Sequence, residues 1–243
     1  MKKYMTVLVT ALMLVFSSCD TLNQYGQQVI NQGIGQPSTT EIALGLKQAL
    51  EFGTNNSSER LSLADGYFGN VAIKILFPEE AQKVERTLRS VGMNKLADNV
   101  VLSLNRAAEA AAKEAKPIFV SAIKEMTIAD ATNILLSGQK DAATLYFKRV
   151  TTSQLNAKFQ PVIQTSLNTV GATKYWTDAI TAYNKIPLVS KVNPDLSAYV
   201  TQKAIDGLFY EIAKEELKIR QNAASRTTTL LQKVFGYADR SKN

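Results

Sequence analysis

Apolar residues recur every three or four positions along most of this chain, which is the spacing of an amphipathic helix. The clearest stripe runs from Met93 to Ala111 and ends in small residues that let another helix approach closely. The run 70–77 is the only strand-like stretch, and since one strand cannot form a sheet we expect an extended segment laid across helices. Further helical stripes begin near Ile42, Leu61, Ala81, Ile118, Ile128, Ala142, Leu155, Tyr175, Leu196 and Leu230. The pattern predicts an all-α fold, a single domain of about eight to ten helices with no significant β-sheet.

Short motifs indicate where several of these helices begin and end. Ser38–Glu41 and Thr127–Asp130 have the form of a capping box, and Asp141 can cap the segment that follows it. Pro117 is expected to break the long helix that starts at Met93. Glycines, which suit the left-handed conformation that ends many helices, follow three of the predicted helices: Gly92, Gly138 and Gly171.

The first nineteen residues have the parts of a bacterial lipoprotein signal. Lys2 and Lys3 precede an apolar run, Val7–Phe16, that is too short to span a membrane, and small residues precede Cys19. We therefore expect cleavage after residue 18 and covalent attachment of diacylglycerol, and of an N-acyl chain, at Cys19. An ordinary signal peptide is the alternative. Two or more acyl chains make a stable anchor, and no other cofactor is expected.

The predicted lipoprotein divides into three parts. Residues 1–18 are the signal peptide, residues 19–37 read as a flexible tether rich in Gln, Asn and Gly, and residues 38–243 form the helical domain. We expect the domain to face the periplasm from the outer or inner membrane. Cleavage also removes Lys2 and Lys3, which leaves 26 basic and 21 acidic residues and a charge of +5.

The composition excludes several classes of chemistry. The chain contains no histidine, which removes Ser-His-Asp and Cys-His catalysis and the histidine-based zinc and di-iron sites. Its single cysteine is Cys19, so neither a disulfide nor a cysteine metal site is available. Basic residues are spread along the chain rather than concentrated in a stripe with aromatics, which argues against nucleic-acid binding.

Six segments in order resemble the bacterial family named domain of unknown function 4197. They are 104–109 (LNRAAE), 126–131 (MTIADA), 141–147 (DAATLYF), 206–209 (DGLF), 215–220 (EELKIR) and 234–236 (VFG). The similarity extends from about Ile42 to Gly236; Ala223, Ile75 and Phe77 depart from the usual pattern. The resemblance implies a secreted or lipid-anchored helical domain of Gram-negative bacteria, and it carries no established activity.

Eight polar or aromatic residues are candidates for a ligand site: Asn105, Arg106, Glu109, Asp130, Tyr146, Asp206, Glu216 and Arg220. The structural alternative is that these groups satisfy helix ends or each other, as most buried polar groups do. Glu216 and Arg220 lie one helical turn apart, which is typical of an ion pair. Asp206, Glu211 and Glu215 could hold a metal through oxygens alone, but a solvated acidic face is the more ordinary interpretation, and we predict no metal.

Two functional hypotheses remain open. The first is a non-enzymatic binding or scaffold module that holds an amphiphilic ligand or an envelope partner protein. The second is a hydrolase or lyase that acts on envelope polymers through paired carboxylates, drawn from Glu109, Asp130, Asp206, Glu215 and Glu216. The sequence leaves the oligomeric state and the identity of any ligand undecided.

Overall fold

A computed structural model describes residues 35–90, 92–169 and 195–241, together with the separate positions 171, 173, 176, 177, 181 and 191. The signal peptide, Cys19, most of the predicted tether and most of the predicted helix at Tyr175 lie outside the described residues. The chain divides between Ser38 and Thr39 into two units. Of the first unit, residues 35–38 are described and are not helical.

The described part of the second unit is built from α-helices and contains no strand. This confirms the predicted all-α class and the expected eight to ten helices. The α-helices are α1 (Thr39–Ser62), α2 (Gln82–Ser90), α3 (Asn94–Ala112), α4 (Ala115–Glu125), α5 (Ile128–Leu136), α6 (Ala142–Thr169), α7 (Leu196–Gln221) and α8 (Thr229–Arg240). Short 3₁₀ helices at Glu79–Ala81 and Ala223–Ser225 precede α2 and α8.

Helix α1 lies at the centre of the fold. It packs against α3, α4, α5, α7 and α8, while α6 packs against α3, α4, α5 and α7. Three phenylalanines from three helices meet in the core. The ring of Phe119 lies 5.2 Å from that of Phe147 and 6.2 Å from that of Phe209, both in edge-on geometry, and all three side chains are buried. Such offset aromatic contacts stabilise a core beyond the apolar area that they bury.

Several predicted boundaries are confirmed. Thr127 and Asp130 form the reciprocal capping box at the start of α5. Gly92, Gly138 and Gly171 all have positive φ, at 81°, 74° and 68°, as expected after a helix.

Three boundaries differ from the expectation. Residues 63–69 form turns rather than a second helix, because α1 continues to Ser62 and the chain then folds back. Residues 142–169 form one helix, not two. The chain breaks between α3 and α4 at 113–114, before Pro117. Pro117 instead occupies the first turn of α4, where a backbone N–H has no intrahelical partner and its loss costs little.

No helix among the described residues is long and apolar enough to span a bilayer.

Candidate functional site

The Glu216–Arg220 pair joins the ends of two helices that neither residue belongs to. The Glu216 carboxylate accepts hydrogen bonds of 2.9 Å from the backbone N–H groups of Ala143 and Thr144, at the start of α6. It also accepts 2.8 Å from the Thr144 hydroxyl. The negative charge therefore lies at the positive end of the α6 dipole, in the place where the sequence suggested Asp141.

Arg220 completes the same junction from the other side. Its guanidinium lies 2.9 Å from the Glu216 carboxylate and donates to the backbone carbonyls of Ile134 and Leu135, at 2.9 and 3.3 Å, in the last turn of α5. Both side chains are buried. The pair is a structural clamp on the α5–α6 connection, and its hydrogen-bonding capacity is largely used.

Arg226 caps α7 in a similar way, and the sequence interpretation missed it. Its guanidinium donates to the carbonyls of Ile219 and Arg220, at 3.1 and 2.9 Å, and pairs with Asp239 of α8 at 2.8 Å. The signal available was its position just beyond the end of a predicted helix, where a cation stabilises the free carbonyls.

Asn105 holds the segment that links α1 to α2. Its side-chain amide accepts from the N–H of Ile75 at 2.9 Å and donates to the carbonyl of the same residue at 2.8 Å. The Asn105 side chain therefore pairs with Ile75 as a neighbouring strand would. It also donates to the carbonyl of Val101 at 2.7 Å and is fully buried. The extended segment expected over residues 70–77 is observed only over residues 74–78, because residues 71–73 form a turn closed by bonds from the N–H groups of Ile73 and Lys74 to the Asn70 carbonyl.

Glu109 and Arg106 hold the turn before that segment. The Glu109 carboxylate accepts from the backbone N–H groups of Tyr67 and Phe68, at 3.1 and 3.2 Å. Its second oxygen lies 2.6 Å from Arg106, which also pairs with Asp65 at 2.8 Å. Asp65 has a positive φ of 66°, so the ion pair stabilises a turn that is unfavourable for most residues.

Tyr67 anchors the same turn to α7, and the sequence interpretation did not single it out. The side chain is fully buried, and its hydroxyl donates to the carbonyl of Ala204 at 2.7 Å. Burial, reinforced by the charges of Glu109 and Glu211, raises the pKa of the Tyr67 hydroxyl well above its usual range. The ring fits because Gly207 lies beneath it: a Cβ there would be 2.7 Å from the Tyr67 ring.

Glu211 and Glu215 are held by cations rather than arranged around an open metal site. Arg60 of α1 lies 2.6 Å from Glu211 and 3.1 Å from Glu215. Lys214 and Asn70 also donate to Glu211, both at 3.0 Å. Burial raises the pKa of the Glu211 carboxyl, but the bonds from Lys214 and Asn70 and the charge of Arg60 outweigh it, so the pKa lies below its usual value. Among the described residues no group of three or more metal-ligating side chains is found.

Asp130 and Tyr146 lie together on the rim of a shallow groove of about 330 Å³ between α5 and α6. Asp130 is engaged in the capping box: its carboxylate accepts 2.6 Å from the Thr127 hydroxyl and 3.1 Å from the Thr127 N–H. The guanidinium of Arg149 stacks over the Tyr146 ring, 5.5 Å from its centroid. Burial raises the pKa of the Tyr146 hydroxyl, and the charge of Asp130 adds to it.

Asp206 lies apart from the other candidates, in a groove of about 400 Å³ between residues 72–77 and the first half of α7. We name it the α7 groove. Its walls include Leu76, Tyr199 and Tyr210, and the Asp206 carboxylate accepts from the Gln202 amide at 2.9 Å. The eight predicted site residues therefore do not converge on one cavity; they fall into four separate places.

A small cavity lies beside the Glu216–Arg220 pair. It has a volume of about 20 Å³ and apolar walls from α1, α7 and α8 that include Leu46, Ile212 and Phe235. That volume holds about one water molecule, whereas pockets for organic ligands measure roughly 300–1,000 Å³.

The profile of a protein family described as "Protein of unknown function (DUF4197)" matches residues 36–236. The chain belongs to this family. The matched range agrees with the resemblance expected from Ile42 to Gly236 and includes every residue of the clusters described above except Asp239. Neither the curated proteins nor the solved structures provide a match.

Several of the segments that resemble the DUF4197 family supply the residues of the clusters described above. Three of these segments contribute the buried clamps: 104–109 supplies Asn105 and Glu109, 141–147 supplies the amides of α6, and 215–220 supplies Glu216 and Arg220. The segment 126–131 supplies the capping box of α5. In this family member, these motifs fix helix ends and one loop.

Proposed function

We propose that this protein is a lipid-anchored, non-enzymatic scaffold of the cell envelope, whose helical domain binds a partner protein on the periplasmic side. The anchor rests on the signal sequence that ends at Cys19. The binding role rests on the observation that the buried carboxylates of the helical unit bind backbone amides and arginines.

The observation that carries the proposal is the engagement of the three buried candidate carboxylates, Glu109, Glu215 and Glu216. Glu109 and Glu216 each bind two backbone N–H groups and one arginine, and Glu215 pairs with Arg60. A general acid or base must instead reach a substrate proton from an accessible cleft. A domain whose carboxylates hold helix ends in place is rigid, and this favours a binding role. The hydrolase hypothesis therefore gains no support from these contacts.

A protein partner fits the described surface better than an enclosed amphiphile does. The cavity beside Glu216 accommodates about one water molecule, far less than an acyl chain needs. The larger depressions, at 330–400 Å³, are open grooves on the surface. Open grooves suit side chains or extended segments that another protein presents.

The anchor is tested by membrane fractionation of the full chain and its Cys19→Ser variant. We expect the natural protein to remain with membranes after a high-salt wash and to carry a metabolically incorporated fatty acid. The Cys19→Ser protein should lose both properties. Equal retention and equal labelling of the two proteins would contradict the anchor.

The scaffold role is tested by site-specific photo-crosslinking in cells. A photoreactive residue is placed at Leu44, Leu145 or Tyr210, which lie on α1, α6 and α7 and are each about half exposed. We expect at least one position to give a discrete adduct with a protein identified by mass spectrometry, and the adduct should weaken in the Cys19→Ser background. Absence of an adduct at all three positions would overturn the scaffold function.

A further inference from the structure

Residues 75–77 have the pattern of a single β-strand although they belong to no sheet. Ile75 and Phe77 are buried, while Leu76 between them is 54% exposed. This alternation has the period of two that is typical of an extended strand with one face on a core. Pro78 follows directly and ends the run. The segment is therefore held straight and in a fixed register beside α3 and α7.

The two sides of this segment's backbone are bound unequally, since on the side away from Asn105 the Lys74 N–H donates to the Asn70 carbonyl at 2.8 Å and the Leu76 N–H is left over. The N–H and carbonyl of Ile75 are both bound by the Asn105 side chain. In an extended chain the backbone groups of the next residue point to the opposite side, so those of Leu76 face away from Asn105. The Leu76 carbonyl accepts from the Tyr199 hydroxyl at 3.0 Å. Its N–H has no hydrogen-bond partner among the described residues.

The α7 groove lies along the side of the segment on which the Leu76 N–H is found. Leu76, Tyr199 and Tyr210 line it, and Tyr210 is 45% exposed. Two cationic and two anionic side chains also line it: Lys74, Lys203, Glu79 and Asp206. Because these charges balance, the groove has no strong preference for an acidic or a basic ligand. Its selectivity comes from the backbone edge and from the two tyrosine rings.

The α7 groove lies close to one end of α1. Arg60, in the last turn of α1, contacts Glu211, which adjoins Tyr210 at the groove. The chain enters the helical unit at the other end of α1, at Thr39, and the 24 residues of this helix span about 36 Å. The groove therefore lies near the C-terminal end of α1 and not at Thr39, where the helical unit begins.

We propose that an extended, uncharged segment of a partner protein adds as a strand beside residues 75–77. Its backbone accepts from the Leu76 N–H and shares the Leu76 carbonyl with the Tyr199 hydroxyl, and separate apolar side chains contact the Tyr199 and Tyr210 rings, which lie about 16 Å apart along α7. An exposed strand edge is a template for such pairing, and strand addition is an established mode of peptide recognition. This inference rests on the proposed scaffold function and names the class of partner segment.

The test uses the full-length lipidated protein in detergent and a phage-displayed library of random dodecapeptides as the probe. We expect uncharged peptides rich in aromatic or β-branched residues to be enriched. Synthetic copies should slow hydrogen exchange of the Leu76 amide. Leu76→Pro removes that N–H but permits an extended Ile75, and it should weaken peptide binding at least tenfold.

Two further variants keep the test decisive if Leu76→Pro fails to fold. Tyr210→Ala removes an exposed ring from the groove and should also weaken binding at least tenfold. Leu44→Ala is the matched control, because Leu44 has the same 54% exposure as Leu76 but lies on α1; its binding should be unchanged. Failure to enrich any peptide, or peptides that bind Tyr210→Ala as tightly as the natural protein, would overturn strand addition.

The two proposals fail in distinguishable ways. A specific photo-adduct in cells, combined with no peptide that depends on Leu76 or Tyr210, would overturn strand addition and leave the scaffold function standing. Absence of adducts at Leu44, Leu145 and Tyr210 would overturn the scaffold function itself.

Discussion

Glu216 and Arg220, one turn apart on α7, each cap a different helix. The carboxylate binds the first amides of α6, the guanidinium binds the last carbonyls of α5, and the two charged groups lie 2.9 Å apart. Each charge opposes the end charge of the helix that it touches. The pair thus determines how α5 and α6 meet, in a place that is shielded from water.

Glu216→Ala should lower the free energy of unfolding by about 3–5 kcal/mol, because it leaves the buried guanidinium of Arg220 unpaired. Urea unfolding measures this loss. Glu85→Ala is the matched control: Glu85 pairs with Arg89 at the same spacing and at 2.8 Å, but at the surface. Its loss should stay below about 1 kcal/mol. Similar losses in the two variants would contradict the clamp.

Asn105→Ala should destabilise the protein by about 2–4 kcal/mol, because it leaves the buried N–H and carbonyl of Ile75 without partners. Hydrogen exchange at the Ile75 amide should accelerate together with the loss of stability. Asn99→Ala, on an exposed face of α3, should change stability by less than about 0.5 kcal/mol. An unchanged exchange rate at Ile75 would contradict the assigned role of Asn105.

Gly207→Ala should destabilise the protein by about 1–3 kcal/mol, because its methyl group would meet the Tyr67 ring at 2.7 Å and Ile73 at 3.2 Å. Gly53→Ala tests the same substitution inside α1, where the nearest atom, the Glu215 Cβ, lies at an ordinary 3.5 Å. There the change should stabilise by about 0.5–1 kcal/mol, since alanine favours a helix. Thermal or urea unfolding measures the stability of both variants. A loss of stability in Gly207→Ala together with a gain in Gly53→Ala would show that the contact with Tyr67, and not helix propensity, decides the effect at position 207.

The contribution of the α5 capping box to the free energy of unfolding should be lost in acid. The hydrogen bonds from Thr127 hold the pKa of the Asp130 carboxyl below its usual value. The folded state therefore binds fewer protons at this group than the unfolded state does. Its stabilising effect is complete above the unfolded pKa of about 3.9 and is lost as pH falls through the lower folded pKa.

The stability difference between the natural protein and Asp130→Ala should accordingly be constant from pH 7 to about pH 5 and shrink below about pH 4. Urea unfolding at several pH values measures it. In a Thr127→Ala background this pH dependence should become weaker, because the hydroxyl that contributes most to the lowered pKa is gone while the bond from the residue 127 N–H remains. A difference that persists unchanged at pH 3 would contradict the interpretation.

Two helix caps show which contacts could be predicted from the sequence and which could not. The Thr127–Asp130 box was predicted because both residues lie within one turn and need no third element. Glu216 was recognised as a partner of Arg220 for the same reason, since the two lie one turn apart. Its role as the cap of α6 was missed. Its partner amides are 72 and 73 residues away.

The residues of the candidate site were likewise recognised from their spacing on one helix, whereas their distant partners were not. Asn105, Arg106 and Glu109 were identified as a polar cluster from their spacing on one helix. Their targets, Ile75 and the Tyr67–Phe68 amides, became identifiable only when the chain after α1 folded back across α3. Tyr67 and Arg226 were missed because neither has a local partner that marks it.

The helical class, the capping box and the glycine helix ends could be predicted from the sequence, because they depend on residues a few positions apart. The family could be recognised because its motifs are read directly in the order of the residues. That the polar motifs clamp helix ends and an extended segment, and do not gather in one cavity, became visible in the folded protein alone. Helix packing determines which side chain reaches which backbone group, and packing depends on contacts between residues far apart in the chain.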